Sequence, residues 1–72
     1  MTPESIPQPR LSQRQKECLR MVAEGHTARS IAARLGISIR MVRFHLKAAR
    51  EKLNAVSTSQ AVHIAAKGRL LE

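Results

Sequence analysis

The chain has 72 residues, with 13 Lys and Arg against five Asp and Glu, a formal net charge of +8, and a single cysteine. That length holds one small domain, which buries roughly 60% of the surface its unfolded chain exposes and leaves little room for an enclosed active site. Cys18 cannot close an internal disulfide, no apolar run approaches the ~18 residues of a membrane span, and MTPESIPQPR lacks the apolar stretch of a signal peptide.

So large a positive excess favours a polyanion as partner, nucleic acid ahead of an anionic membrane surface. A membrane-surface helix carries large apolar residues along one whole face. Here they are spread over several short segments, as in a folded core. The expectation is a cytoplasmic protein without membrane contact.

In chain order, residues 1–10 hold all three prolines and read as a flexible tail or linker, leaving 11–72 as the folded unit. The first helix starts at Ser12, whose spacing to Gln15 is that of a capping box. Cys18, Leu19 and Val22 share one face, Met21 lies at its margin, and Gly25 ends the helix. The second helix is capped by Thr27, turns Ala28, Ile31, Ala32 and Leu35 inward, and stops at Gly36. Ser38 caps a third helix, Ile39 to Leu53. After a connector over 54–58, Ser59 caps a fourth, which runs to about Lys67 and stops at Gly68. Four short helices with tight connections make an all-α domain.

The sharpest signal surrounds Gly36. A small residue at Ala32 lets the next helix cross closely, Gly36 accepts the positive φ of a sharp turn, and β-branched Val42 fills the angle between the helices. This is helix-turn-helix spacing, whose second helix enters the major groove; a plain αα-corner shares the same three residues. At about 100° per residue, Val42, Leu46, Ala49 and Leu53 cluster on one side of the third helix. Arg40, Arg43, Phe44, Lys47 and Glu51 lie broadly opposite. A solvated face has no need of an exposed phenylalanine, whereas a groove-reading face uses it against the thymine methyl. Arg43 and Lys47, four apart, can reach guanine O6 and N7 in successive steps. Backbone N–H groups at the Ser38 end suit a phosphate.

The run LSQRQKECLRMVAEGHTARSIAARLGISIRMVRFHLKAAREKL resembles the LuxR-type helix-turn-helix family. The matches are Leu11, Arg14, Glu17, Leu19, Ala23, Gly25, Ile31, Ala32, Leu35, Ile37, Ser38, Val42, His45, Lys52 and Leu53, with Ala61 and Val62 in the fourth helix. The likeness covers about residues 11–71. It implies a four-helix DNA-binding domain of transcription regulators, its third helix in the major groove and its fourth at a dimer contact. The implied base contacts are Arg43, Phe44 and Lys47, joined on the same face by Arg40. The implied phosphate contacts gather near Thr27, Arg29 and Ser38, with His45 and Arg50 as further candidates. There are departures from the family pattern. Gln15 replaces a glutamate, Thr27-Ala28-Arg29-Ser30 lacks the family's acid, and Met41 replaces a threonine. Thr58 stands where an arginine is common, which removes a phosphate contact.

Cys18 on the apolar stripe reads as core packing. His26, His45 and His63 lack metal-ligand spacing with it, so no metal or other cofactor is expected. His45 lies at the edge of the buried face, either packed or touching a phosphate, the latter more strongly as the ring protonates. Met21 and Met41 fill core margins. On the fourth helix Val62, Ala65 and Ala66 face inward, and Ile64 points outward among Gln60, His63 and Lys67. That patch is either a two-fold homodimer contact or an ordinary exposed apolar residue. There are no paired carboxylates, no activated nucleophile and no Gly-rich phosphate loop, so an enzyme is not expected. The leading expectation is sequence-specific binding of double-stranded DNA in transcription regulation. The alternative is a module that does not bind DNA but pairs with a related regulator and inhibits it. So short a chain carries no sensory domain of its own: it is expected to be a stand-alone regulator, a C-terminal fragment of a longer one with residues 1–10 as linker to a sensory domain, or such an inhibitory partner, and the tail opens on a methionine.

Overall fold

The computed structural model describes residues 10–72, among which lie four α-helices and no strand. They are α1 (Gln13–Ala23), α2 (Ala28–Leu35), α3 (Ile39–Lys52) and α4 (Thr58–Lys67). Of the expected tail only exposed Arg10 falls within the described residues, and residues 1–9 lie outside them.

All four helices open in the same way. A hydroxyl side chain accepts the backbone N–H three residues on: Ser12 from Gln15 at 3.1 Å, Thr27 from Ser30 at 3.1 Å, Ser38 from Met41 at 3.0 Å, Ser57 from Gln60 at 3.0 Å. Each such cap contributes about 1 kcal/mol. At Ser12 the box closes, because the Ser12 N–H donates to Gln15 Oε1 at 2.9 Å and Gln15 is buried. The cap of α4 is therefore Ser57 and not Ser59. Ser57 has extended backbone (φ −148°), and Gln60 also accepts the Val56 N–H through Oε1 at 2.6 Å, fixing the chain just ahead of the helix. Leu53, expected as the last residue of α3, is its C-cap.

The ends match one another too. A left-handed residue follows each helix: Gly25 (φ 95°), Gly36 (φ 68°), Asn54 (φ 54°) and Arg69 (φ 60°). The next N–H then turns back on a carbonyl of the last turn. These bonds run from His26 to Met21 at 2.9 Å, Ile37 to Ala32 at 3.1 Å, Ala55 to Arg50 at 2.8 Å, and Leu70 to Ala65 at 2.8 Å. α4 stops at Gly68 as expected, and this C-cap has φ −87°, so the left-handed residue past the helix is Arg69.

α3 occupies the centre. It packs against α1, α2 and α4, while α2 and α4 do not approach each other. Its inner side, Val42, Leu46, Ala49 and Leu53, is buried as the wheel implies, against Leu11, Cys18, Leu19, Ile31, Ala32, Ala61 and Ala65. Cys18 is wholly enclosed, and loss of hydration pushes its thiol above the ordinary value, against the opposing pull of Arg14. Such a thiol packs as a small hydrophobe. Met21, Val22, Ala28 and Leu35 pack at the margin. Met41 does not: it is exposed, because its position lies about 100° from Val42 around the axis.

α4 is phased differently from the expectation. Ala61 and Ala65 are its fully buried pair, and Val62 and Ile64 flank them, both half-buried against the core. Ala66 is exposed. Ile64 thus faces inward at the flank and is not an outward apolar residue; one step around the wheel separates the two phases. Among the described residues no helix is long and apolar enough to cross a membrane.

Candidate nucleic-acid interface

The α2–α3 turn determines how α3 is presented. Left-handed Gly36 reverses the chain, Ile37 returns its N–H to Ala32, and Ser38 restarts a helix with its hydroxyl. Three residues therefore separate two helices that pack on each other. The start of α3 is exposed at Ser38 and Arg40.

From that start the outer face of α3 carries Arg40, Arg43, Phe44 and Lys47, all exposed. Phe44 is 61% exposed, although it is the chain's one aromatic residue. Its ring stands edge-on to that of His45, centroids 5.8 Å apart and planes at 69°. His45 is half-buried, so it braces the ring from the edge of the packed side. The side chain best suited to burial is thus held in solvent, at the centre of a cationic face.

The cations on this face form no ion pair among the described residues. The ion pairs among the described residues are Arg14–Glu17, Glu24–His26 and Arg69–Glu72. None uses a cation of α2 or α3. Glu51 is the lone acid of α3, and no helix carries an acid in its first turn. Arg29, Arg34, Arg40, Arg43 and Lys47 therefore direct their charge outward, which raises the local potential for a polyanion.

The expected phosphate-facing residues fall into two groups. Thr27, Arg29 and Ser38 are exposed at the starts of α2 and α3, where Thr27 and Ser38 already serve as caps. His45 and Arg50 are half-buried on the two flanks of α3. Arg50 is engaged: its Nη1 donates to Thr58 Oγ1 at 3.2 Å, joining α3 to α4. Sequence reasoning missed this bond, because no local pattern pairs residues eight apart across a helix end. It also missed Ser57, for which the Ser57–Gln60 spacing was a usable signal. Of the expected α4 patch, Gln60, His63 and Lys67 are exposed, while Ile64 is held in the core margin.

The fold and this face define a helix-turn-helix domain. The family described as "Bacterial regulatory proteins, luxR family" matches residues 9–65. The transcriptional activator protein RaiR of Rhizobium etli is 48% identical over 52 residues, covering 72% of this chain and 22% of RaiR. The regulatory protein SdiA of Escherichia coli K12 is 44% identical over 66 residues, covering 92% of this chain and 26% of SdiA. Among solved structures, that of E. coli SdiA superposes with a TM-score of 0.83 at 39% identity, over 97% of this chain and 30% of SdiA. The response regulator ChrA of a heme-sensing two-component system gives 0.81 at 35%, over 92% and 33%. The chain belongs to the luxR family of bacterial regulatory proteins. It spans about a quarter of the length of the curated relatives it matches.

Proposed function

We propose that this chain binds double-stranded DNA sequence-specifically in transcription regulation, with α3 in the major groove. One observation carries the reading: the outer face of α3 exposes Phe44 among Arg40, Arg43 and Lys47, with no ion-pair partner for these cations among the described residues. Arg43 and Lys47 contact guanine edges, Phe44 a thymine methyl, and Arg40 the base nearest the start of α3. Thr27, Arg29, Ser38, His45 and Arg50 contact phosphates and fix the register. A module that pairs with another regulator through α4 would be indifferent to Arg43→Ala and Lys47→Ala, which separates it from this reading.

Two copies meet through α4 about a two-fold axis, at Gln60, His63 and Lys67 with the rim of Ile64, and read inverted half-sites. Residues 11–72 are the DNA-binding unit. Residues 1–10 are a tail or linker ahead of it. Its DNA target sets its place of work in the cytoplasm.

Selection of bound duplexes from a random pool tests this, followed by affinity measured against salt. The expected outcome is an enriched inverted repeat, with log K falling against log salt by about 0.9 per phosphate neutralised. Equal binding of every sequence would overturn specific reading, and salt-independent affinity would overturn the phosphate contacts.

A further inference from the structure

At the α3–α4 corner Arg50 leaves the last turns of α3 and donates to Thr58 in the first turn of α4, at 3.2 Å. None of the ion pairs among the described residues involves Arg50, so none of their carboxylates neutralises its charge by a direct contact. A guanidinium carries five N–H donors, and the bond to Thr58 occupies one. Arg43, Lys47 and Arg50 are spaced by four and then three residues, which places them in one row along the helix. Arg50 thus extends the row of exposed cations from the outer face of α3 towards α4. Thr58 itself brings no charge to the start of α4.

We propose that Arg50 supplies, from α3, the phosphate-binding cation that α4 lacks at position 58, and that Thr58 is the positioning residue that holds it. The ligand is a backbone phosphodiester of duplex DNA beside the groove, so the inference rests on the DNA-binding reading above. The bond to Thr58 restrains a long side chain before binding, so less rotamer freedom is lost when the phosphate arrives. The planar fork keeps donors for the phosphate while one N–H stays with Thr58, which the point charge of a lysine does less well.

The test uses the whole chain and the duplex that the unaltered chain selects. Arg50→Gln keeps a donor for Thr58 and removes the charge. It is expected to weaken binding roughly fivefold on all sequences alike and to lower the slope of log K against log salt by about 0.9. Thr58→Val removes the holder and leaves the charge, so affinity falls roughly threefold while the slope stays. Thr58→Arg added to Arg50→Gln restores the slope, with the cation now supplied from α4. If the pair is only a tie between helices, the variants lower the thermal midpoint and leave the slope untouched. An unmoved slope in folded Arg50→Gln, or no restoration by Thr58→Arg, overturns the proposal. If the unaltered chain binds no duplex in a salt-dependent way, the DNA reading fails first and this inference falls with it.

Discussion

α3 and α4 are built to the same local plan, a serine cap at the start and a left-handed residue past the end, yet they bury and present different things. α3 packs Val42, Leu46, Ala49 and Leu53 against three neighbouring helices, while α4 buries only Ala61 and Ala65 fully, against α1 and α3. Outward, α3 shows Arg40, Arg43, Phe44 and Lys47, whereas α4 shows Ser59, Gln60, His63, Ala66 and Lys67. A helix fixed from three sides can hold long outer side chains in constant directions, which recognition of a rigid groove requires. A helix seated on two alanines approaches its neighbours closely and keeps its apolar flanks, Val62 and Ile64, at the margin. Under the proposed function, one helix reads and the other pairs.

The largest effect should come from the core of the reading helix. Leu46→Ala is expected to cost about 3 kcal/mol, through lost transfer energy and the cavity left behind. Ala65→Gly in α4 should cost less, about 1.5–2 kcal/mol, from helix propensity and the loss of one buried methyl. Urea unfolding of the two variants compares them, and equal costs would mean that α4 is as deeply anchored as α3. Next come the outer faces. Arg43→Ala and Lys47→Ala should each lose about 1–3 kcal/mol of binding on the selected duplex, with relaxed preference at one base step and an unchanged thermal midpoint. Lys67→Ala should leave affinity for a single half-site as it was. Equal losses on a half-site would erase the division between a reading helix and a pairing helix.

The division itself was legible in the sequence to different depths. The buried side of α3 and the exposure of Arg40, Arg43, Phe44 and Lys47 were read correctly, Met41 apart, because 14 residues of strong apolar periodicity leave one phase open. α4 was read one step out of phase. Its inner residues are alanines, and alanines also stand outside at Ala66, so the pattern alone cannot choose. Met41 misled for a related reason: an apolar residue next to a buried one was assigned to the core margin, although the helix turns it away. The Arg50–Thr58 bond depends on how two helices meet, which no single-helix pattern encodes.

The caps sharpen the same contrast at a smaller scale. Ser38→Ala and Ser57→Ala should each cost about 1 kcal/mol, since each leaves one N–H of a first turn without its acceptor. Ser59→Ala should stay within about 0.5 kcal/mol, as an exposed first-turn change usually does. Thermal midpoints of the three variants decide it. A loss at Ser59 equal to that at Ser57 would move the start of α4 by two residues and shift its outer face with it.

The smallest effects separate two glycines that look alike in the sequence. Both follow a helix, but Gly36 has φ 68° and Gly68 has φ −87°. A methyl group at Gly36 meets nothing within 4 Å, so Gly36→Ala carries no clash and its cost is backbone strain alone. That strain is about 1 kcal/mol for a left-handed alanine. A methyl at Gly68 rests 3.4 Å from the Ile64 carbonyl oxygen and 3.6 Å from Leu70, ordinary contact. With φ already negative, Gly68→Ala should stabilise by about 0.5 kcal/mol, because the unfolded chain loses freedom and the fold loses nothing. The two variants therefore have opposite signs in one urea titration. Gly36→Ala should also weaken duplex binding if the turn strain tilts α3, whereas Gly68→Ala should not. A stabilising Gly36→Ala would show that the α2–α3 turn does not need its left-handed residue, and the tight presentation of α3 would have to come from packing alone.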